Sequence, residues 1–103
     1  MPCYCSIDGT PVHASKKYLT GLLRQEMGFE GVVFSDYSAV ENVCTVQCAA
    51  ESRQEAGLRC MKAGMDVELP IPVCYHEELK GLFAKGKADT AILDQAVLLP
   101  ARA

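Results

Sequence analysis

The stretch Met27-Gly28-Phe29-Glu30-Gly31-Val32-Val33-Phe34-Ser35-Asp36-Tyr37 decides how this chain is read. A helical pattern stops at Gly28, a residue suited to the left-handed position that closes a helix. Gly31 to Ser35 then reads as a strand. Its Val-Val-Phe core does not alternate with polar residues, as expected of a parallel strand covered on both faces. The strand finishes on a carboxylate, Asp36, beside an aromatic ring, Tyr37. In parallel α/β proteins chemistry is done at the edge where strands end, which makes Asp36 the first candidate functional residue.

Working outward, Met1 to Cys5 reads as a short strand and Ser6 to Val12 as a loop, with Asp8-Gly9 and Pro11 as turn signals. Ser15 suits the cap of a helix running to about Met27. That helix places Tyr18, Leu19, Leu22 and Leu23 on one side, with Glu26 at the rim. Downstream of Asp36, Tyr37 to Glu51 reads as a longer connection with a short helix near Ala39 to Val46. Ser52 and Glu55 form the S-x-x-E capping box, typically contributing about 1 kcal/mol at a helix start. The helix they open runs to Ala63. Ala56, Cys60 and Ala63 form a small-residue stripe that permits close approach to a sheet, and Gly64 ends the helix. Met65 to Leu69 is the third strand, stopped by Pro70 and Pro72. Two helices follow, about Tyr75 to Lys85, closed by Gly86, and Asp89 to about Leu99, with Asp89 as cap.

The order β-α-β-α-β-α-α predicts an α/β fold with parallel strands and right-handed crossovers. Three such strands leave open edges with unpaired backbone groups. A complete (β/α)8 TIM barrel typically needs about 250 residues. The expectation is therefore a single segment, 1–103, forming about three strands of a larger barrel.

With 103 residues, half of them hydrophobic, and a net charge of −3, the composition fits one globular domain or a piece of one. The chain has no basic patch of the kind that tracks phosphate backbones, so no nucleic-acid partner is expected. Uncharged runs such as Val43 to Ala50 are far too short to span a bilayer, so no membrane partner is expected either. The N-terminus lacks a basic segment followed by an apolar core. The six cysteines read chiefly as small buried hydrophobes. Cys3 and Cys5 share one face of a strand, Cys44 and Cys48 have the i, i+4 spacing of helical neighbours, and Cys60 lies among small residues. No CxxC pair exists, and His13 and His76 are not spaced like zinc ligands relative to any cysteine pair. A cysteine-based metal or redox module stays open as an alternative. Free thiols suit a reducing compartment, which favours the cytoplasm.

Of the strand acids, Asp36 closes the second strand, while Asp66 and Glu68 lie in the third. Each has a plain structural reading, capping a helix or pairing with a base. Four motifs set Asp36 apart. They are Met1, Tyr4, Asp8-Gly9 and Pro11; Leu19-Thr20-Gly21-Leu22-Leu23-Arg24; Met27-Gly28-Phe29-Glu30-Gly31 with Ser35-Asp36-Tyr37; and Ala63-Gly64-Met65-Asp66-Val67-Glu68-Leu69-Pro70. In this order and at these separations the chain resembles the last part of the catalytic barrel of glycoside hydrolase family 3, the family of β-glucosidases and β-xylosidases. The resemblance spans residues 1 to about 98.

The resemblance implies that Asp36 is the nucleophile of a retaining glycosidase acting on a β-linked glucoside or xyloside, with no metal or organic cofactor expected. Such a nucleophile attacks the anomeric carbon while a second group protonates the leaving oxygen. Tyr4 and Tyr37 are the candidates for shaping the sugar site, with Tyr4 able to donate its hydroxyl near Asp36. Packing of amphipathic rings at a barrel mouth is the alternative for both. Two positions depart from the family pattern. Cys5 stands where a polar residue commonly follows the tyrosine, and Ser38 replaces a common glycine. The resemblance further implies that a missing barrel half carries other sugar-binding residues and that a second domain supplies the general acid. The isolated chain is then expected to be inactive. A non-catalytic α/β interaction module is the competing class.

Overall fold

The computed structural model describes residues 1–86 and 89–94. Asp8 (φ 52°) and Gly9 (φ 80°) are both left-handed, the backbone of a two-residue type I′ turn, for which Asp-Gly is a preferred pair. The turn joins β1 (Ser6–Ile7) to β2 (Thr10–Pro11) as an antiparallel hairpin, with Ser6 opposite Pro11 and Ile7 opposite Thr10. The segment expected to be a plain loop is thus a miniature hairpin. A single 3-10 turn, Val12–Ala14, follows and buries Val12 and His13.

The Ser15 hydroxyl accepts the Tyr18 N–H at 3.3 Å, as its expected role at a helix start requires. The helix it opens, Lys17–Glu26, is wound wide, and the Met27 N–H reaches back five residues to the Leu22 carbonyl at 2.9 Å. Each residue of such a helix advances by less than the roughly 100° of an α-helix. The expected apolar stripe therefore splits. Leu19 is buried and Leu23 packs beside it, while Leu22 turns outward to 40% exposure. Gly28 then adopts φ 71° and ends the segment.

Three α-helices follow: α1 (Ala39–Thr45), α2 (Arg53–Ala63) and α3 (Glu77–Ala84). At the start of α2 the Ser52 hydroxyl accepts the Glu55 N–H at 3.1 Å, and the Glu55 carboxylate accepts the Glu51 N–H at 2.9 Å. The capping box is present, with its return bond shifted one residue upstream. Gly64 closes α2 at φ 119°. Residues 90–94 are helical, and Asp89 caps them by accepting the Ala91 N–H at 3.0 Å. The remainder of that expected helix, to about Leu99, lies outside the described residues.

The expected sheet of three parallel strands is corrected by the structure. Among the described residues the parallel pairing is one bridge, Phe34 to Val67, and Met1 to Cys5 forms no strand. Side-chain oxygens explain why the ladder stops. The bridge has its backbone bonds, Ser35 N–H to the Val67 carbonyl at 2.9 Å and Val67 N–H to the Val33 carbonyl at 3.3 Å, a carbonyl that the Asp66 N–H shares at 2.8 Å. On one side of it the Val33 N–H turns to Asp66 Oδ2 (2.9 Å), and on the other the Leu69 N–H turns to Ser35 Oγ (2.8 Å). Donors that would extend a ladder are taken by side chains. The two segments still run parallel, as the β-α-β order requires.

Behind this pair lies the core, in which Leu19, Val33, Val40, Val43, Cys60 and Met65 are buried together. The stripe on α2 works as its spacing suggests, since Ala56, Cys60 and Ala63 are all inaccessible. Gly57 extends that stripe, because a Cβ there would stand 2.8 Å from the Cys74 carbonyl oxygen. Cysteine usage is mixed. Cys60 and Cys74 are buried hydrophobes, Cys44 is half-buried and Cys48 is exposed. Cys3 and Cys5, expected as free thiols, are joined by a disulfide.

Candidate active site

Asp36 follows the bridge strand directly and stands at its C-terminal end, half-buried. Local sequence fixes the turn that holds it. Ser38 takes the left-handed region at φ 61°, which accounts for the glycine expected there. The Ser38 N–H donates to the Leu69 carbonyl at 3.0 Å and the Ala39 N–H to the Asp36 carbonyl at 3.1 Å. Asp36 Oδ1 accepts the Tyr37 N–H at 2.8 Å. None of the ion pairs among the described residues includes Asp36.

The two other acids are fully engaged. Asp66 lies at the opposite, N-terminal pole of the paired segments. Its Oδ2 meets Arg24 Nη2 at 2.6 Å in an almost fully buried ion pair. Arg24 also donates to the carbonyls of Gly31 (3.1 Å) and Gly64 (3.0 Å). Glu68 is 7% exposed, and its Oε1 accepts the N–H groups of Cys74 and Tyr75, both at 2.8 Å. It ties down the loop through Pro70 and Pro72, a structural task of the kind open to any strand acid.

Tyr4 and Tyr37 stand at the Asp36 pole, 47% and 64% exposed. The Tyr4 hydroxyl donates to the Tyr37 carbonyl at 2.6 Å. Local desolvation and then the nearby Asp36 charge hold the Tyr4 hydroxyl above its ordinary pKa. The structure therefore brings Tyr4, Asp36 and Tyr37 to one rim and sends Asp66 to the other.

Two residues at this rim carry no signal in the sequence. His13, 2% exposed, accepts the Asp36 N–H on its Nε2 at 3.2 Å. Gln47, just past α1, donates from Nε2 to the Tyr4 carbonyl (3.0 Å) and to Ser6 Oγ (3.1 Å). Neither contact follows from spacing, because each joins segments far apart in the chain.

Among the described residues no three His, Cys, Asp or Glu side chains come together as a metal site. No helix of the described residues is long and apolar enough to cross a membrane.

Parallel segments, helices packed behind them and a carboxylate outside the ion pairs at the strand-end rim are the features of an α/β protein whose site lies where its strands end. The chain belongs to glycosyl hydrolase family 3, since residues 1–99 match the model of that family's N-terminal domain. It is 35% identical over 92 residues to the lysosomal beta glucosidase of Dictyostelium discoideum, covering 88% of this chain and 11% of that protein. A beta-xylosidase of Formosa agariphila is 35% identical over 102 residues, covering 93% of this chain and 14% of the relative. A solved beta-glucosidase from Listeria innocua superposes with a TM-score of 0.86 at 40% identity, over 93% of this chain and 13% of that one. The chain thus spans about an eighth of the length of these proteins.

Proposed function

We propose that Asp36 is the nucleophile of a retaining β-glucosidase or β-xylosidase, and that residues 1–103 are a section of its catalytic barrel. The observation that carries this reading is the contrast among the three strand acids. Asp66 is paired with Arg24 and the buried Glu68 holds two backbone donors on Oε1, whereas Asp36 sits half-exposed at the strand-end rim with no cationic partner among the described residues.

In the reaction, one Asp36 carboxylate oxygen attacks the anomeric carbon of the sugar. The bond to the leaving oxygen breaks, and that oxygen takes its electron pair and a proton from a general acid. Water then releases the sugar from the glycosyl–Asp36 ester. The acid must stand about 5–5.5 Å from the nucleophile. The second domain of a full-length parent supplies it, and the other half of the barrel supplies the remaining sugar contacts. Tyr4 and Tyr37 form one wall of the sugar site, their exposed rings offering apolar faces beside the nucleophile. A cytoplasmic setting rests on the four free cysteines and stands against the Cys3–Cys5 pair.

The test is Asp36→Gly in the complete polypeptide, assayed on aryl β-glucosides and β-xylosides. Turnover should vanish, and added azide should restore cleavage with formation of the α-glycosyl azide. Undiminished hydrolysis by the variant overturns the assignment. Residues 1–103 alone should show no turnover on either substrate.

A further inference from the structure

We propose that His13 is the positioning residue that aims Asp36, acting as a neutral imidazole whose Nε2 lone pair holds the Asp36 N–H. The proposal rests on the reading of Asp36 as nucleophile, and the family resemblance does not supply it.

The direction of a short carboxylate is set by its own backbone, and at Asp36 that backbone is held at every polar group. The carbonyl accepts from Ala39, Oδ1 accepts from Tyr37, and the N–H goes to His13. The first two bonds are local and belong to the turn itself. The His13 bond spans 23 residues, so it fixes the turn relative to the rest of the rim. His13 is held in place in turn. It lies in the 3-10 turn that follows the hairpin, 2% exposed, with its ring 6.3 Å from the Tyr4 ring at an interplanar angle of 32°. One side chain therefore lies against both the nucleophile's backbone and the Tyr4 ring.

The chemistry requires one tautomer. Nε2 accepts, so in neutral His13 the proton resides on Nδ1. Protonation turns Nε2 into a donor facing the Asp36 N–H donor, and the bond is lost. Burial lowers the His13 pKa, opposed by the Cys3 backbone and the Asp36 charge, so the accepting form is the one favoured at neutral pH. The titratable groups that face it are the Tyr4 hydroxyl and the Asp36 carboxylate.

Two arms test the proposal. The first uses the complete polypeptide, labelled with ¹⁵N at histidine and aspartate, and needs no activity. Imidazole shifts should show the Nδ1–H tautomer, and the Asp36 amide shift should follow the His13 titration. A Nε2–H tautomer, or an Asp36 amide indifferent to His13, overturns the proposal. The second arm uses the complete polypeptide. His13→Leu should lower kcat about 10- to 100-fold with KM within about threefold, the size of loss that misplacing a reacting group brings. His13→Gln retains an uncharged acceptor and should recover most of that loss, and its acid limb should lie at lower pH than that of the wild type. Wild-type kcat in His13→Leu, or a failure of His13→Gln to recover turnover, overturns the proposal. Should His13→Leu not fold, the glutamine variant and the tautomer measurement still decide. Hydrolysis surviving Asp36→Gly would sink the nucleophile assignment while leaving the first arm intact, so the two failures are distinguishable.

Discussion

The hydroxyl of Tyr4 reaches the carbonyl of Tyr37 at 2.6 Å, across 33 residues of sequence. No backbone ladder joins these two segments among the described residues. The rim is therefore held together by side chains, Tyr4 to Tyr37, His13 to Asp36 and Gln47 to Tyr4. Where a barrel would have paired strands, this edge depends on a few polar contacts, and each can be removed singly.

Tyr4→Phe removes one of them and keeps the ring. The hydroxyl is exposed, so water replaces its partner and stability should change little. Its loss frees the Tyr37 carbonyl, which the hydroxyl holds at the rim beside Asp36. In the complete polypeptide kcat/KM should fall about tenfold or more, as expected when a group that positions the reacting atoms is lost. The check is steady-state kinetics beside a thermal melt of the same variant. A melt that collapses with unchanged kinetics would make Tyr4 a packing residue only.

At the other pole the order of effects reverses. Asp66→Ala leaves Arg24 buried without its carboxylate and orphans the Val33 N–H. Breaking a buried pair from one side costs about 3–5 kcal/mol. Urea denaturation should show a loss of that size. Arg24→Lys should fall short of the wild type as well, because an ammonium cannot reproduce the fork that spans Asp66 and the Gly31 and Gly64 carbonyls.

Two buried thiols give a prediction for alkaline pH. Burial pushes the Cys60 thiol up to about 12 from 9.0, with Glu68 adding to the rise, and pushes Cys74 up as well. A folded pKa above the unfolded one means that the unfolded state loses its proton first as pH rises. The stabilisation is complete below about pH 9 and drains away as pH climbs toward the folded value. Denaturation midpoints should therefore fall steadily above pH 9, and Cys60→Ala with Cys74→Ala should flatten that slope. At neutral pH a thiol reagent should label Cys48 quickly and leave Cys60 and Cys74 unmodified until the chain unfolds.

Much of this was legible from punctuation. Asp8-Gly9, Gly28, Gly64, the Ser15 cap and the Ser52–Glu55 box all act where their chemistry suggests, because each depends only on neighbours in sequence. The Tyr4–Asp36–Tyr37 grouping was legible through the motif order. Three things were not. The wide winding of Lys17–Glu26 splits an apolar stripe that α-helical spacing makes continuous. The short ladder reflects side-chain oxygens of Ser35 and Asp66 competing for backbone donors, a tertiary contest that no local pattern records. His13 and Gln47 act across 23 and 43 residues, and a lone histidine or glutamine in a turn has no periodicity to betray it.

Glu68 separates a structural acid from a catalytic one. Its position at the end of the third strand segment makes it an obvious proton donor on paper. In the structure its Oε1 accepts from the Cys74 and Tyr75 amides in a site 7% exposed. Glu68→Gln retains an oxygen that can accept both amides, loses the ability to ionise and exchanges Oε2 for an NH2 donor. Glu68→Ala orphans two donors, each costing about 1–3 kcal/mol when buried and unpaired. The glutamine variant should therefore keep kcat within about twofold and melt near the wild type, while the alanine variant should be strongly destabilised. A general acid behaves otherwise, since its removal typically costs about 10²–10⁴-fold in rate even when the fold is intact. A loss of that size in Glu68→Gln, with an unchanged melt, would move the proton donor from the second domain into this segment.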